Sequence, residues 1–201
     1  MEVSWRAEPF EPEQSAIDAA DDAVSALRDR GSPSHDGYAA RLIAFDATDD
    51  GLTLELQPAR WALRLLTDRA AQSLSVQCVV RDGSGRWLAG RRAAWLATWA
   101  GRWALGAAGS VEVGENPVES LVRELREEWS VEPERMQIEA LVRLPSEMVL
   151  LVGQAWVADG AGVTPDDEHD AFAWWPPEVD EWPSKDAHDP LRRMASLLAA
   201  S

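Results

Sequence analysis

The sequence predicts an α/β or α+β fold with a mixed sheet, and three observations carry that expectation. Short β-rich runs bounded by turn residues recur along the chain. Three stretches of helical period lie among them. The two kinds alternate rather than segregate, which is the pattern of layered α/β architecture. With 201 residues, 46% of them hydrophobic, the chain suits one domain with elaborations and can bury a real core.

The elements follow in order. Residues 14 to 30 read as a helix, because Ile17, Ala20, Val24 and Leu27 keep its period and Gly31-Ser32-Pro33 stops it. Tyr38 to Phe45 and Leu52 to Leu56 read as strands joined by an Asp49-Asp50-Gly51 turn. Residues 59 to 69 fit two readings: their composition favours helix, while Trp61, Leu63 and Leu65 alternate. Ser75 to Arg81 and Arg86 to Arg91 form a hairpin about Asp82-Gly83-Ser84-Gly85. Asn116 is a good cap and Pro117 a good first helical residue, so the next helix starts there. Ile138 to Leu144 and Val149 to Val157 are two more strands. An acidic loop, Thr164 to Asp170, leads into AFAWW, and Asp189-Pro190 opens a closing helix.

Composition excludes several classes of function. Net charge is −16, so neither nucleic acid nor an anionic membrane is expected as a partner. The longest apolar run, Met148 to Ala158, is too short to span a bilayer as a helix. Cys78 is the sole cysteine and sits in SVQCVV, so it reads as a core residue; no intrachain disulfide can form, which suits a reducing compartment. The N-terminal MEVSWRAEPFEPEQ lacks the basic and apolar regions of a secretory signal, and the expected location is cytoplasmic. Eleven tryptophans against one tyrosine are assigned chiefly to core and cleft packing.

One stretch concentrates the chain's negative charge further. In GSVEVGENPVESLVRELREEWSV, residues 109 to 131, three glutamates occupy five positions. Glu124, Glu127 and Glu128 repel one another at helical spacing. Val118, Leu121, Val122, Leu125 and Trp129 define the apolar side, and the three carboxylates are expected on another side. A solvated acidic face is the ordinary reading of such a helix. A hard divalent cation that takes oxygen ligands would offset the repulsion.

The full spacing discriminates between these readings. Gly109, five residues, Glu115, seven residues, Arg123-Glu124-Leu125, one residue, Glu127-Glu128, one residue and Ser130-Val131 resembles the signature of the Nudix hydrolases. Every specified position matches except the last, where Ser130 stands for glycine. At average residue usage such a coincidence has a chance on the order of 10⁻⁵ or less. The hairpin and the RWALGAAGSVEVGE loop before the box agree with the family pattern. The resemblance covers about residues 72 to 180. It implies a Nudix domain over 71–201 with a C-terminal helix. Residues 1–70 form an N-terminal helix and β extension, expected not to fold independently.

The resemblance also implies a fold and a set of roles. The fold would be an α/β/α sandwich with a mixed sheet. Glu124, Glu127 and Glu128, with the backbone carbonyl of Ala108 or Gly109, would hold Mg²⁺, or Mn²⁺ in its place. Glu115 and Arg123 would pair and brace the helix, and Arg123 is counted with the catalytic set. Water would attack phosphorus in a nucleoside diphosphate linked to another group. Glu124 and Glu168 are the candidates to position or deprotonate that water, with Glu147 third; Glu168 lies on a loop able to close over a phosphate site. His169 reads as a loop histidine. Arg91 or Arg92 would grip phosphate while the other faces solvent, and Gly109 would contact substrate at the loop entrance. A non-glycine residue at 130 in a left-handed conformation costs about 1–2 kcal/mol.

Two neighbouring classes share part of this pattern. An isopentenyl diphosphate isomerase needs a cysteine and histidines near the box, and this chain has no histidine from 36 to 168. A non-catalytic Nudix-like domain that binds a nucleotide and regulates is the alternative; the intact carboxylates favour catalysis. Family members that act on ADP-ribose often carry a proline about fifteen residues past the box and an N-terminal β region that helps them dimerise; Pro145 and residues 1–70 resemble these features, which implies ADP-ribose or another ADP-sugar as substrate and a homodimer as one expected arrangement. The partner would be a small nucleotide.

Overall fold

The computed structural model describes residues 1–32, 36–48, 51–96 and 98–199. Among them lie ten strands and three α-helices, with two short 3-10 turns. The strands are β1 (Glu2–Trp5), β2 (Tyr38–Thr48), β3 (Gly51–Arg60), β4 (Leu74–Asp82), β5 (Trp87–Arg92), β6 (Trp103–Leu105), β7 (Ala107–Ser110), β8 (Arg135–Arg143), β9 (Val149–Val157) and β10 (His169–Trp175). The helices are α1 (Gln14–Asp29), α2 (Pro117–Trp129) and α3 (Asp189–Ala199). This α+β order with mixed sheets matches the expected fold class. The β2–β3 turn at Asp49-Asp50 and the stop at Pro33 lie outside the described residues.

The chain divides into two compact units. The first comprises Met1–Val76, Gly109–Ser120 and Leu141–Leu151. Its three-stranded sheet has the order β1-β3-β2, with β1 parallel and β2 antiparallel to β3. Helix α1 buries Ala16, Ala20 and Val24 against Ala59, Ala62 and Leu63, with Phe10 and Trp61 at the margin. The ambiguous segment resolves here: β3 runs to Arg60, and Trp61–Leu65 is a 3-10 turn. Arg60 is tied to Asp36 by its Nε and NH2 and to Asp21 by its NH2, the latter at 2.5 Å. Segments distant in sequence complete the unit. Ala39 bridges Glu112, Arg41 bridges Ser73, and the Ala70 amide donates to the Ser146 carbonyl.

The second unit comprises Gln77–Ala108, Leu121–Ala140 and Val152–Ser201. β5 pairs antiparallel with β10, placing Trp87 opposite Trp175, and β6 also lies along β5. The tryptophans pack as the composition suggested. Trp87 meets Trp182 edge-on at 5.7 Å, and Trp182 meets Trp175 at 4.9 Å. Cys78 is buried, and burial pushes its thiol pKa up. Gly106, at φ +57°, is required by space as well as by conformation: a Cβ there would lie 1.9 Å from the Cys78 carbonyl oxygen. α3 buries Leu191, Ala195 and Leu198. The seven-stranded sheet runs β10-β5-β4-β9-β8, with β6 on β5 and β7 on β4. Strands β6 and β7 occupy what reads in sequence as a glycine-rich loop. No helix among the described residues is long and apolar enough to cross a membrane.

Candidate active site

Helix α2 begins as its sequence dictates. The Asn116 side-chain oxygen accepts from the Val118 amide at 3.0 Å, and Pro117 follows as the first helical residue. Glu115 accepts from the Ser120 hydroxyl at 2.6 Å and from the Glu112 amide at 3.1 Å, so it fixes the chain at the helix entrance. Gly109 lies in β7 of the same first unit. The helix ends as expected too. Ser130 stands at φ +55°, the left-handed conformation that a glycine would accept without cost.

The carboxylates depart from expectation in their burial. Leu121, Leu125 and Trp129 are fully buried, but Glu124 and Glu128 are buried with them, at 8% and 3% exposure. Only Glu127 faces solvent. At about 100° per residue, Glu128 falls within about 20° of Leu121, so it borders the apolar stripe. Burial pushes the Glu124 carboxyl up to about 7; Arg123 opposes the rise, and Glu127 and Glu168 add to it. Burial also raises Glu128 well above the usual carboxylate range. The Ala108 amide opposes that shift, and the charges of Glu124 and Glu168 reinforce it.

Individual contacts show how the negative charge is held. Arg123 NH1 donates to Glu124 Oε1 at 2.7 Å and to Glu127 Oε2 at 3.0 Å. The Ala108 amide donates to Glu128 Oε1 at 3.0 Å, so this residue meets the carboxylate through its N–H. Glu128 Oε2 is buried with no hydrogen-bond partner. A buried, unpartnered carboxylate oxygen is costly unless a ligand completes it. Glu124 and Glu168 add negative charge at this place, so the donor chemistry fits a hard cation. Among the described residues, no three acidic, histidine or cysteine side chains converge in ligand geometry. Here Glu124 and Glu127 turn to the Arg123 guanidinium.

The segment 164–170 is laced to the end of α2. The Thr164 amide donates to the Trp129 carbonyl at 3.0 Å and the Asp166 amide to the Glu128 carbonyl at 2.9 Å. These bonds satisfy helix-end carbonyls that would otherwise lack partners. Glu168 lies with Arg92, whose NH2 is 3.7 Å from its Oε2. Its own amide donates to Asp166 Oδ1 at 3.0 Å, and its carbonyl accepts from the Ala93 amide at 2.7 Å. Arg92 is largely buried and acts electrostatically on Glu128, whereas Arg91 is half exposed and pairs with Asp170 at 2.6 Å. Glu147, in the first unit, pairs with Arg143 at 3.0 Å.

One expectation is corrected. His169 is not a loop histidine: it opens β10, and its side chain is 1% exposed. The ring packs at a 38° tilt against Trp129, with centroids 4.4 Å apart. Its Nε2 lies 3.7 Å from Glu128 Oε2, and its Nδ1 lies 3.4 Å from Asp166 Oδ1. Gly90 of β5 makes room for the two rings; a Cβ there would come within 2.4 Å of the His169 ring and 2.7 Å of Trp129. A glycine inside a strand pattern often marks such a close approach, and that was the signal available in sequence.

Comparison with known proteins decides the family. The family model described as NUDIX domain matches residues 71–195, more than half of the chain. The chain belongs to the Nudix hydrolase superfamily. Two solved structures agree in fold. DR0079 from Deinococcus radiodurans is 19% identical with a TM-score of 0.51, covering 62% of this chain and 82% of that one. The NUDIX domain of Shewanella oneidensis NrtR, complexed with ADP ribose, is 21% identical with a TM-score of 0.50, covering 63% and 87%. A MutT protein from Methanosarcina mazei Go1 is 22% identical with a TM-score of 0.49, covering 64% and 92%. No curated protein matches.

Proposed function

We propose that this Nudix protein hydrolyses the diphosphate bond of a nucleoside diphosphate linked to another group, with a divalent cation as cofactor. The observation that carries the reading is the buried acid pair of α2, Glu124 and Glu128, with Glu128 Oε2 unpartnered. Stability alone gives no reason to bury two like charges one helical turn apart. Glu124, Glu127 and Glu128, with the Ala108 carbonyl, are the residues that would hold Mg²⁺ or Mn²⁺. A cation bound there supplies acidification of water and neutralisation of charge on the departing phosphate.

The protein's own groups divide the remaining work. Glu168 carries a carboxylate in the same electrostatic field and is the proposed base or water-orienting group. Arg92, already drawn to that field, is the better placed of the two arginines to meet a phosphate oxygen; Arg91 is committed to Asp170. Arg123 neutralises Glu124 and Glu127 and holds them in place. Glu115 braces the helix entrance, and Gly109 is proposed to meet substrate. An ADP-sugar such as ADP-ribose is the first substrate class to test, on the strength of Pro145, which lies in the turn after β8, and of the N-terminal strands.

The test is a panel of ADP-ribose, nucleotide sugars, oxidised nucleoside triphosphates and coenzyme A with Mg²⁺ or Mn²⁺. Product release is expected with at least one compound, and Glu127→Gln and Glu128→Gln should abolish it at ordinary cation concentrations. Full activity in both variants would overturn α2 as the cation site. Turnover of none of the panel, with tight binding of one compound, would favour a regulatory nucleotide-binding domain.

A further inference from the structure

His169 has no part in the chemistry proposed above, yet it is among the most enclosed polar side chains in the second unit. Three side chains border its ring. Trp129 packs against it, and Gly90 leaves the gap that admits both rings. Asp166 Oδ1 faces Nδ1 at 3.4 Å, and Glu128 Oε2 faces Nε2 at 3.7 Å. The main chain reinforces the same triangle. The Asp166 amide donates to the Glu128 carbonyl at 2.9 Å, and the His169 amide donates to the Asp166 carbonyl at 3.3 Å.

A packing role alone does not account for this arrangement. A phenyl ring would fill the same space against Trp129 without bringing two nitrogens to two carboxylates. Glu128 Oε1 is held by the Ala108 amide, while Oε2 makes no hydrogen bond and is the end a neighbour can still orient. His169 Nε2 faces that end at 3.7 Å. Asp166 in turn sets the rotation of that ring.

We propose that His169 is a positioning residue for Glu128: its ring, oriented by Asp166 and Trp129, holds the Glu128 carboxylate in the orientation that takes up a divalent cation. The proposal rests on the reading of α2 as the cation site. It follows the general rule that partners behind a ligand orient it, and that their loss costs about 10–100-fold in metal affinity or activity. The expected target is cation uptake rather than the bond-breaking step.

The experiment measures Mn²⁺ binding to the full chain, without substrate, by titration calorimetry or by loss of free Mn²⁺ resonance, with a melting curve for each variant. His169→Phe keeps a ring against Trp129 and removes both nitrogens; it should weaken Mn²⁺ binding about 10–100-fold. His169→Gln, whose amide can still face Oε2, should recover a large part of the loss. Asp166→Ala, a milder change at a partly exposed residue, should weaken binding in the same direction and keeps the test open if His169→Phe fails to fold. With substrate, the His169→Phe defect should appear in the Mn²⁺ concentration needed for half-maximal rate and not in the rate at saturating Mn²⁺. Wild-type Mn²⁺ affinity in folded His169→Phe and Asp166→Ala, alongside lost binding in Glu128→Gln, would overturn the positioning role and leave the cation site standing. Wild-type affinity in Glu128→Gln as well would overturn both.

Discussion

Two charged clusters in this chain are built from the same residue types and end in opposite states. In the first unit, Arg60 meets Asp36 and Asp21, and each carboxylate is held by the guanidinium. Those two acids raise the Arg60 pKa, so each partner stabilises the other's charge. In the second unit, Arg123 reaches Glu124 and Glu127, but burial pushes Glu124 up to about 7 and raises Glu128 well above the usual carboxylate range. There an oxygen is left buried and unpartnered. The first cluster is complete as it stands. The second is short of positive charge, and an arrangement that costs stability without an evident return marks a place selected for chemistry.

The largest effect expected concerns the first cluster's whole surroundings. A fragment of residues 1–70 contains Arg60, Asp36 and Asp21 but lacks 109–120 and 141–151, which belong to the same compact unit. It should show no cooperative unfolding by circular dichroism; a sharp transition would show that the cluster and α1 suffice. Next is catalysis. Glu168→Gln should lower turnover by about 10²–10⁴-fold with Mn²⁺ binding nearly intact; ordinary turnover would return the role to Glu124 or Glu147. The clusters then separate on stability. Arg60→Ala should cost about 1–2 kcal/mol in chemical denaturation, reduced by its partial exposure, with turnover per folded molecule unchanged.

The smallest effect tests the sign of the second cluster's charge. The Glu124 pKa is raised from 4.5 unfolded to about 7 folded, chiefly by burial. The folded state therefore binds more protons in that interval, and stability falls as pH rises from about 4.5 through about 7. In metal-free protein the melting temperature should decline across that window, and Glu124→Gln should flatten the decline. An identical slope in wild type and variant would show that Glu124 is not strained.

Much of this was legible in the sequence, for reasons that can be named. Asn116-Pro117 and Asp189-Pro190 open helices because caps and a fixed proline φ act locally. The box spacing singled out the acids of α2, and the structure buries two of them side by side, Glu124 and Glu128. Other features depend on partners far along the chain. β1 has only four residues, and its parallel pairing with β3 leaves no periodic trace. His169 sits in a polar run, DDEHD, and only Trp129 and Gly90 make it a buried strand residue. The burial of Glu128 was available from the helical wheel beside Leu121, but charge alone suggested an exposed face.

The anchoring of Glu168 has a consequence for time scale. Its amide is held by Asp166 and its carbonyl by Ala93, so the backbone is fixed on both sides. Any approach of its carboxylate to a water is then a rotation of side-chain torsions, which for partly exposed residues takes picoseconds to nanoseconds. A lid that opened and closed would take microseconds to milliseconds and could limit turnover. On the proposed role of Glu168, solvent viscosity should have little influence on the hydrolytic step, because the carboxylate swings from a main chain held at both sides.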